Sequence, residues 1–260
     1  MIKGILFDVH GTIVDKGGKK ALDRAIKNVV KFINDSGYQV TYDEYHNVWL
    51  QNLRKYRKDL DELNEVDFYD WHDGILSDLE LTGYDREYMD RINDKFMDVF
   101  QTTTKEIPHA QYVLSELKKN FLLGIVSNSM GRNTRIDLAT AGLIDLFDDI
   151  TISSEIGKRK PHPLIFKKAL EGLSIKPEEG IFVGDDLFED IMGAKQLGMK
   201  TVYLLRREDS MKKFNEKEIY EKIFKDKGLV KDDIRPERIE KADYVIADLK
   251  EIMDLVNQGR

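Results

Sequence analysis

Asp8, Ser127 and Asp185 each stand at the end of an apolar run, and with Lys160 their types suit the transfer of a phosphoryl group. A carboxylate can attack phosphorus and form an aspartyl-phosphate. That step brings an anion up to a dianion, so a cation and positive donors must neutralise the charge. Magnesium prefers hard oxygen ligands, usually one or two carboxylates with water and substrate oxygens. Asp8 and Asp185 can supply those carboxylates, and Thr12 and Ser127 add hydroxyl donors. Gly11 permits a tight turn whose backbone N–H groups can cradle a phosphate. Lys160 is a point charge for both phosphate and Asp8, and Pro161 and Pro163 would hold it at the start of a helix. Taken singly these features are ordinary, since Gly-Asp-Asp can be a turn with a helix cap and most lysines are solvated. Their order, each at a strand end, is what predicts one site.

The elements that must position them follow from hydrophobic periodicity. Residues 4–7, 121–129, 148–155, 180–186, 200–205 and 242–248 include short apolar runs of strand length. Helical segments near 132–141, 163–172 and 187–197 alternate with them, and Pro108 is placed to open another. Such alternation predicts a Rossmann-like α/β core, a mostly parallel sheet with helices on both faces. Ligands of open sheets bind outside the carboxyl ends of the strands. Asp8, Ser127 with Asn128, and Asp185 with Asp186 all stand at such ends.

Residues 16–104 have a different texture. Leu22, Ala25, Ile26, Val29, Val30 and Ile33 recur at helical spacing, with Gly37 as a stop. Thr41 with Glu44 has the form of a capping box, followed by a stripe of Tyr42, Tyr45, Trp49, Leu53 and Tyr56. At helical spacing such a stripe reads chiefly as packing, with one or two members facing a ligand. No strand is expected here. The prediction is an all-helical domain (16–104) inserted into a discontinuous core (1–15 and 105–260), with hinges at 16–20 and 102–106. Residues 206–241 form a charged insertion for which a surface helix through Phe214, Tyr220 and Phe224 is expected.

Composition narrows the classes. Of 260 residues 41% are hydrophobic and 34% charged, and the net charge of −7 is spread among interspersed acids and bases, which argues against a chain-wide nucleic-acid surface. The absence of cysteine excludes disulfides, thiolate metal sites and cysteine nucleophiles. No apolar run approaches the ~20 residues of a membrane span, and residues 1–15 lack the core of a signal peptide; the expected location is the cytoplasm. His46, His72, His109 and His162 are scattered without metalloprotease spacing.

Phe-Asp-Val-His-Gly-Thr (7–12), Ile-Val-Ser-Asn-Ser (125–129), Lys-Arg-Lys-Pro-His-Pro (158–163) and Val-Gly-Asp-Asp-Leu-Phe-Glu-Asp (183–190) together resemble, in order, the four motifs of the haloacid dehalogenase superfamily. The resemblance covers 1–15 and about 105–205. It implies that Asp8 is the nucleophile, that Thr12 supports its turn, that Ser127 binds a phosphoryl oxygen with Asn128 beside it, and that Lys160 steadies nucleophile and charge. It also implies a Mg²⁺ site of Asp8, Asp185 and the main-chain carbonyl of His10, with Asp186 and Asp190 acting through metal-bound water or by orienting Lys160. The helical insertion matches the family's cap, which closes over the site and selects small substrates.

His10 departs from the pattern. Phosphatases of the superfamily carry a second aspartate there, which protonates the leaving group and then activates water. Imidazole can do both jobs near neutrality, so His10 is the expected substitute. The expected activity is Mg²⁺-dependent hydrolysis of a small phosphorylated metabolite by a monomer or homodimer. Two alternatives stand beside it. One is a metal-independent 2-haloacid dehalogenase using Asp8 on carbon. The other is a phosphate-binding or regulatory protein whose catalysis is impaired at position 10. Gly-Asp-Asp-Leu-Phe-Glu-Asp packs four carboxylates into seven residues, which repel one another without a cation. That density favours the magnesium reading over dehalogenation.

Overall fold

The computed structural model describes residues 1–57, 63–205 and 242–258. The surface helix expected within 206–241 lies outside them. The core is a six-stranded sheet in the order β5-β4-β1-β6-β7-β8. Its strands are β1 (Gly4–Phe7), β4 (Leu122–Ser127), β5 (Asp149–Ile152), β6 (Gly180–Gly184), β7 (Lys200–Leu204) and β8 (Tyr244–Ile246), and every pairing is parallel. A short antiparallel pair, β2 (Val14–Asp15) with β3 (Lys105–Glu106), lies outside this sheet.

Strand β1 is apolar without alternation because both its faces are covered. Ile5 and Phe7 join Leu123, Ile125, Ile181 and Val183 under Val113, Leu114 and Leu117 of α5 (Ala110–Lys118) and Ile252 of α10 (Glu251–Gln258). Leu6 turns to the other face, with Val126 and Phe182 against Ile165, Phe166 and Ala169 of α8 (Pro163–Gly172). Each such side chain, fully buried, contributes about 1.5–3 kcal/mol. The chain is thus doubly wound, as the periodicity predicts. Helix α5 begins two residues beyond Pro108, with His109 at its N-cap.

The described residues between 18 and 103 form four helices, α1 (Gly18–Asp35), α2 (Tyr42–Arg57), α3 (Phe68–Asp78) and α4 (Arg86–Thr103). They share a core of their own, centred on Ile26, Val29, Ile33, Ile75, Leu76, Met89 and Ile92. The expected capping box forms: Glu44 N–H donates to Thr41 Oγ1 (3.2 Å), and the Thr41 N–H donates to Glu44 Oε2 (2.8 Å). Asp67 and Asp85 cap α3 and α4 by accepting from the N–H groups of Tyr69 and Tyr88. Helix α1 starts at Gly18, four residues before the apolar stripe, because Gly17 adopts φ +81° and turns the chain into it.

Candidate active site

The register explains why separate segments meet. Phe7 lies level with Ile125 of β4 and Val183 of β6. The next residue, Asp8, therefore emerges between those strands, with Ser127 and Asp185 just beyond. Asp8 is held by its N–H, which donates to Val183 O at 2.9 Å. The chain then turns through Gly11, at φ +97°, and Thr12, Ile13 and Val14 all donate N–H groups back to Val9 O. Gly11's own N–H donates to Val14 O, so it closes the turn rather than offering itself to a phosphate. Thr12 is fully buried, and its hydroxyl lies 3.4 Å from both Asp8 Oδ2 and Asp185 Oδ1.

Lys160 ties the site together. Its side chain is 1% exposed, and Nζ donates to Asp8 Oδ1 at 2.6 Å and to Asp190 Oδ1 at 2.7 Å. Burial alone would lower the pKa of its ammonium, but the carboxylates of Asp190 and Asp8 outweigh burial and raise it above the ordinary lysine range. Asn128 fixes the backbone of this lysine. Asn128 Oδ1 accepts from the Lys160 N–H (2.6 Å), and its Nδ2 donates to the Lys160 carbonyl and to Glu189 Oε2 (both 3.1 Å). The Lys160–Pro161 peptide is cis. Ser127, 1% exposed at the end of β4, makes no hydrogen bond through its hydroxyl among the described residues.

Carboxyl oxygens of Asp8, Asp185 and Asp190 gather within 4.8 Å of one another, all three buried. Burial pushes the carboxyl pKa of Asp190 well up; Lys160 opposes this, and Asp8, Asp186 and Asp185 push it up further. One ammonium among so many carboxylates leaves net negative charge in a buried place, which is the condition a hard cation relieves. The donor set therefore fits Mg²⁺ at Asp8 and Asp185. Asp190 faces Lys160 and also accepts from the Asp186 N–H at 3.0 Å. Asp186 Oδ1 caps a π-helical turn (Leu187–Met192) by accepting from the N–H groups of Phe188 and Glu189.

His10 Nε2–H donates to Asp137 Oδ2, 2.8 Å away. Asp137, on α6 (Gly131–Thr140), is fully buried; Lys16 Nζ lies 2.8 Å from the same oxygen, and the Thr104 hydroxyl 3.4 Å from the other. Burial pushes the carboxyl pKa up, but His10 and Lys16 outweigh it and hold Asp137 below the usual carboxylate range. The imidazole is thus oriented by a carboxylate, while its side chain stays 27% exposed and Nδ1 has no partner among the described residues. Sequence reading misses Asp137. The available signal is an acid among Gly131, Thr134 and Leu138, at helical spacing on the buried face of α6.

Beside Asn128 opens a cleft of about 210 Å³ between α2, α3, α4 and the loop after β4, lined in part by Tyr45, Trp49, Leu53, Ser129 and Met130. Of the aromatic stripe, Tyr45 and Trp49 face this cleft, while Tyr42 donates its hydroxyl to Asp23 at 2.9 Å. His72 lines the cleft from α3. His162 caps α8, its Nδ1 accepting from the Leu164 N–H at 3.1 Å.

A doubly wound sheet with four helices after its first strand, and a buried lysine between two aspartates at its carboxyl edge, defines a class. The profile described as haloacid dehalogenase-like hydrolase matches residues 5–204, and the chain belongs to that family of hydrolases. A glyceraldehyde 3-phosphate phosphatase of Pyrococcus furiosus is 34% identical over 204 residues, covering 78% of this chain and 80% of that protein. A protein of the same name from Methanocaldococcus jannaschii is 31% identical over 257 residues, covering 98% and 97%. Among solved structures, a phosphatase of the superfamily from Thermococcus onnurineus aligns over 98% of both chains with TM-score 0.65 and 23% identity. A 2-haloacid dehalogenase from Pseudomonas syringae aligns over 100% of both with TM-score 0.69 and 21% identity. These two share the fold. Among the described residues no helix is long and apolar enough to cross a membrane.

Proposed function

We propose that this protein hydrolyses a small phosphate monoester in two steps through an aspartyl-phosphate on Asp8. The observation that carries the reading is Lys160, buried between Asp8 and Asp190 at the mouth of the sheet. With one oxygen of Asp8 fixed by Lys160, the other, which has only a long contact to Thr12 among the described residues, attacks phosphorus. The ester P–O bond breaks as the Asp8–phosphorus bond forms, and the departing alkoxide takes a proton from His10. Water then gives a proton to His10 and attacks phosphorus, the bond to Asp8 breaks, and inorganic phosphate leaves. Ser127 donates to a phosphoryl oxygen, and Lys160 offsets its charge.

Asp8 and Asp185, with the His10 carbonyl, would hold Mg²⁺. A bound Mg²⁺ withdraws charge from the phosphoryl oxygens and lowers the repulsion between dianion and carboxylate. In this reading residues 16–104 are a cap that admits substrate and excludes water. Two relatives named as phosphatases of a three-carbon sugar phosphate support the reaction type. The crowded carboxylates of the fourth motif support metal-dependent phosphate chemistry over dehalogenation.

The test is phosphate release from a panel of phosphomonoesters with Mg²⁺ and with EDTA, in wild type, Asp8→Asn and His10→Asp. Turnover is expected only with metal, to vanish in Asp8→Asn, and to leave a borohydride-reducible adduct on Asp8. Release of halide from a 2-haloacid in EDTA, with no phosphate released from any ester, would overturn the reading.

A further inference from the structure

The cleft beside Asn128 is walled by rings. Trp49 and Trp71 stand edge to face, their centroids 6.3 Å apart at 89°, and Phe96 lines the same space. Flat aromatic walls bind an unsaturated ring through its face and edges better than they bind a saturated chain. Polar groups share the lining, with Glu65, His72, Asn128 and Ser129 beside the rings. Arg159, next to Lys160 in the chain, lines the cleft with its guanidinium 3.5 Å from Glu189 Oε1. Asn93 of α4 and Asn133 of α6 bond each other through their amides at 2.9 and 3.0 Å, bridging the helical block to the core. Each of these amides has a second N–H beyond the one it donates within the pair. About 210 Å³ equals roughly seven waters at ~30 Å³ each, enough for one ring system.

We infer that this cleft receives the alcohol part of the substrate and that this part carries a flat unsaturated ring. The protein then prefers ring-bearing phosphomonoesters to three-carbon sugar phosphates. The inference rests on the phosphatase reading for the phosphate end alone, and ring binding is measurable without turnover.

Trp49 and Trp71 are the chain's two tryptophans, so intrinsic fluorescence reports on the cleft directly. Wild-type protein is titrated with benzylphosphonate, cyclohexylmethylphosphonate and propylphosphonate, none of which can be hydrolysed at the C–P bond. Benzylphosphonate is expected to quench emission with a Kd about tenfold below that of either saturated probe. In turnover, benzyl phosphate is expected to exceed glyceraldehyde 3-phosphate in kcat/KM, and the double variant Trp49→Leu, Trp71→Leu to erase that ratio. Equal Kd values for the three phosphonates, or faster turnover of the three-carbon ester, would overturn the inference. Ring-selective quenching with no turnover of any ester would uphold it and overturn the Asp8 reading. Turnover without ring preference would do the reverse.

Discussion

At the scale of single residues, His10 and Asp137 show what side-chain type alone leaves unsaid. A histidine at position 10 can be placed in the motif by sequence, but the carboxylate that orients it lies on a helix more than a hundred residues away. Asp8, Ser127 and Asp185 were legible because each closes an apolar run in the chain itself, and Thr12 and Lys160 because each stands in a short motif, the one after a glycine and the other before a proline. Asp137 was not, because its partners are set by how α6 docks over the first loop. Asp137→Asn keeps its shape and removes its charge. With His10 no longer held against an anion, kcat is expected to fall by about a hundredfold while KM changes little, the loss assigned to general acid–base work. Steady-state kinetics on any turned-over phosphomonoester checks this. His72 affords a second prediction. Burial pushes its pKa down to about 4, whereas the unfolded imidazole takes a proton near pH 6.5. The unfolded chain therefore binds more protons between those values. Stability is full above pH 6.5 and falls by about 3 kcal/mol as the pH drops to 4. Urea denaturation at a series of pH values should show this slope in wild type and its absence in His72→Leu.

At the scale of elements, the strands were readable because runs such as Gly-Ile-Leu-Phe are buried on both faces, and a buried run declares itself by composition. The segment after β6 was not so readable. Its spacing predicts a helix near 187–197, and the chain is helical over 187–195, but the first part (Leu187–Met192) winds as a π-helical turn before a short α9 (Gly193–Lys195). That turn brings Asp190 back over Gly184. A Cβ at Gly184 would lie 2.5 Å from Asp190 Cβ and Cγ and 2.3 Å from its Oδ2. Glycine is thus required here by close approach. Gly184→Ala is expected to displace Asp190 from Lys160 and to cost about 1–3 kcal/mol through overpacking. Chemical denaturation and loss of phosphate release check the two effects separately.

At the scale of the whole molecule, the acidic edge of the sheet links ion binding to thermal stability. Mg²⁺ bound only by the folded chain, at about 100 times its Kd, is expected to raise stability by about 2.7 kcal/mol. Thermal melts with and without EDTA should show the gain in wild type and its loss in Asp185→Asn. The helical block joins the core through paired linkers. Val14–Asp15 lies antiparallel to Lys105–Glu106, and Lys16 and Thr104 both reach Asp137. That pairing also bears on how the chain folds. It joins positions about 90 residues apart, and closing so long a flexible loop costs about 4 kcal/mol of chain entropy. A helical block that forms early, with its two ends already side by side, removes most of that cost before β1 must find β4. Ile26→Ala, a cavity within the block and far from the sheet, is therefore expected to slow refolding of the entire chain, as stopped-flow fluorescence of Trp49 and Trp71 would record.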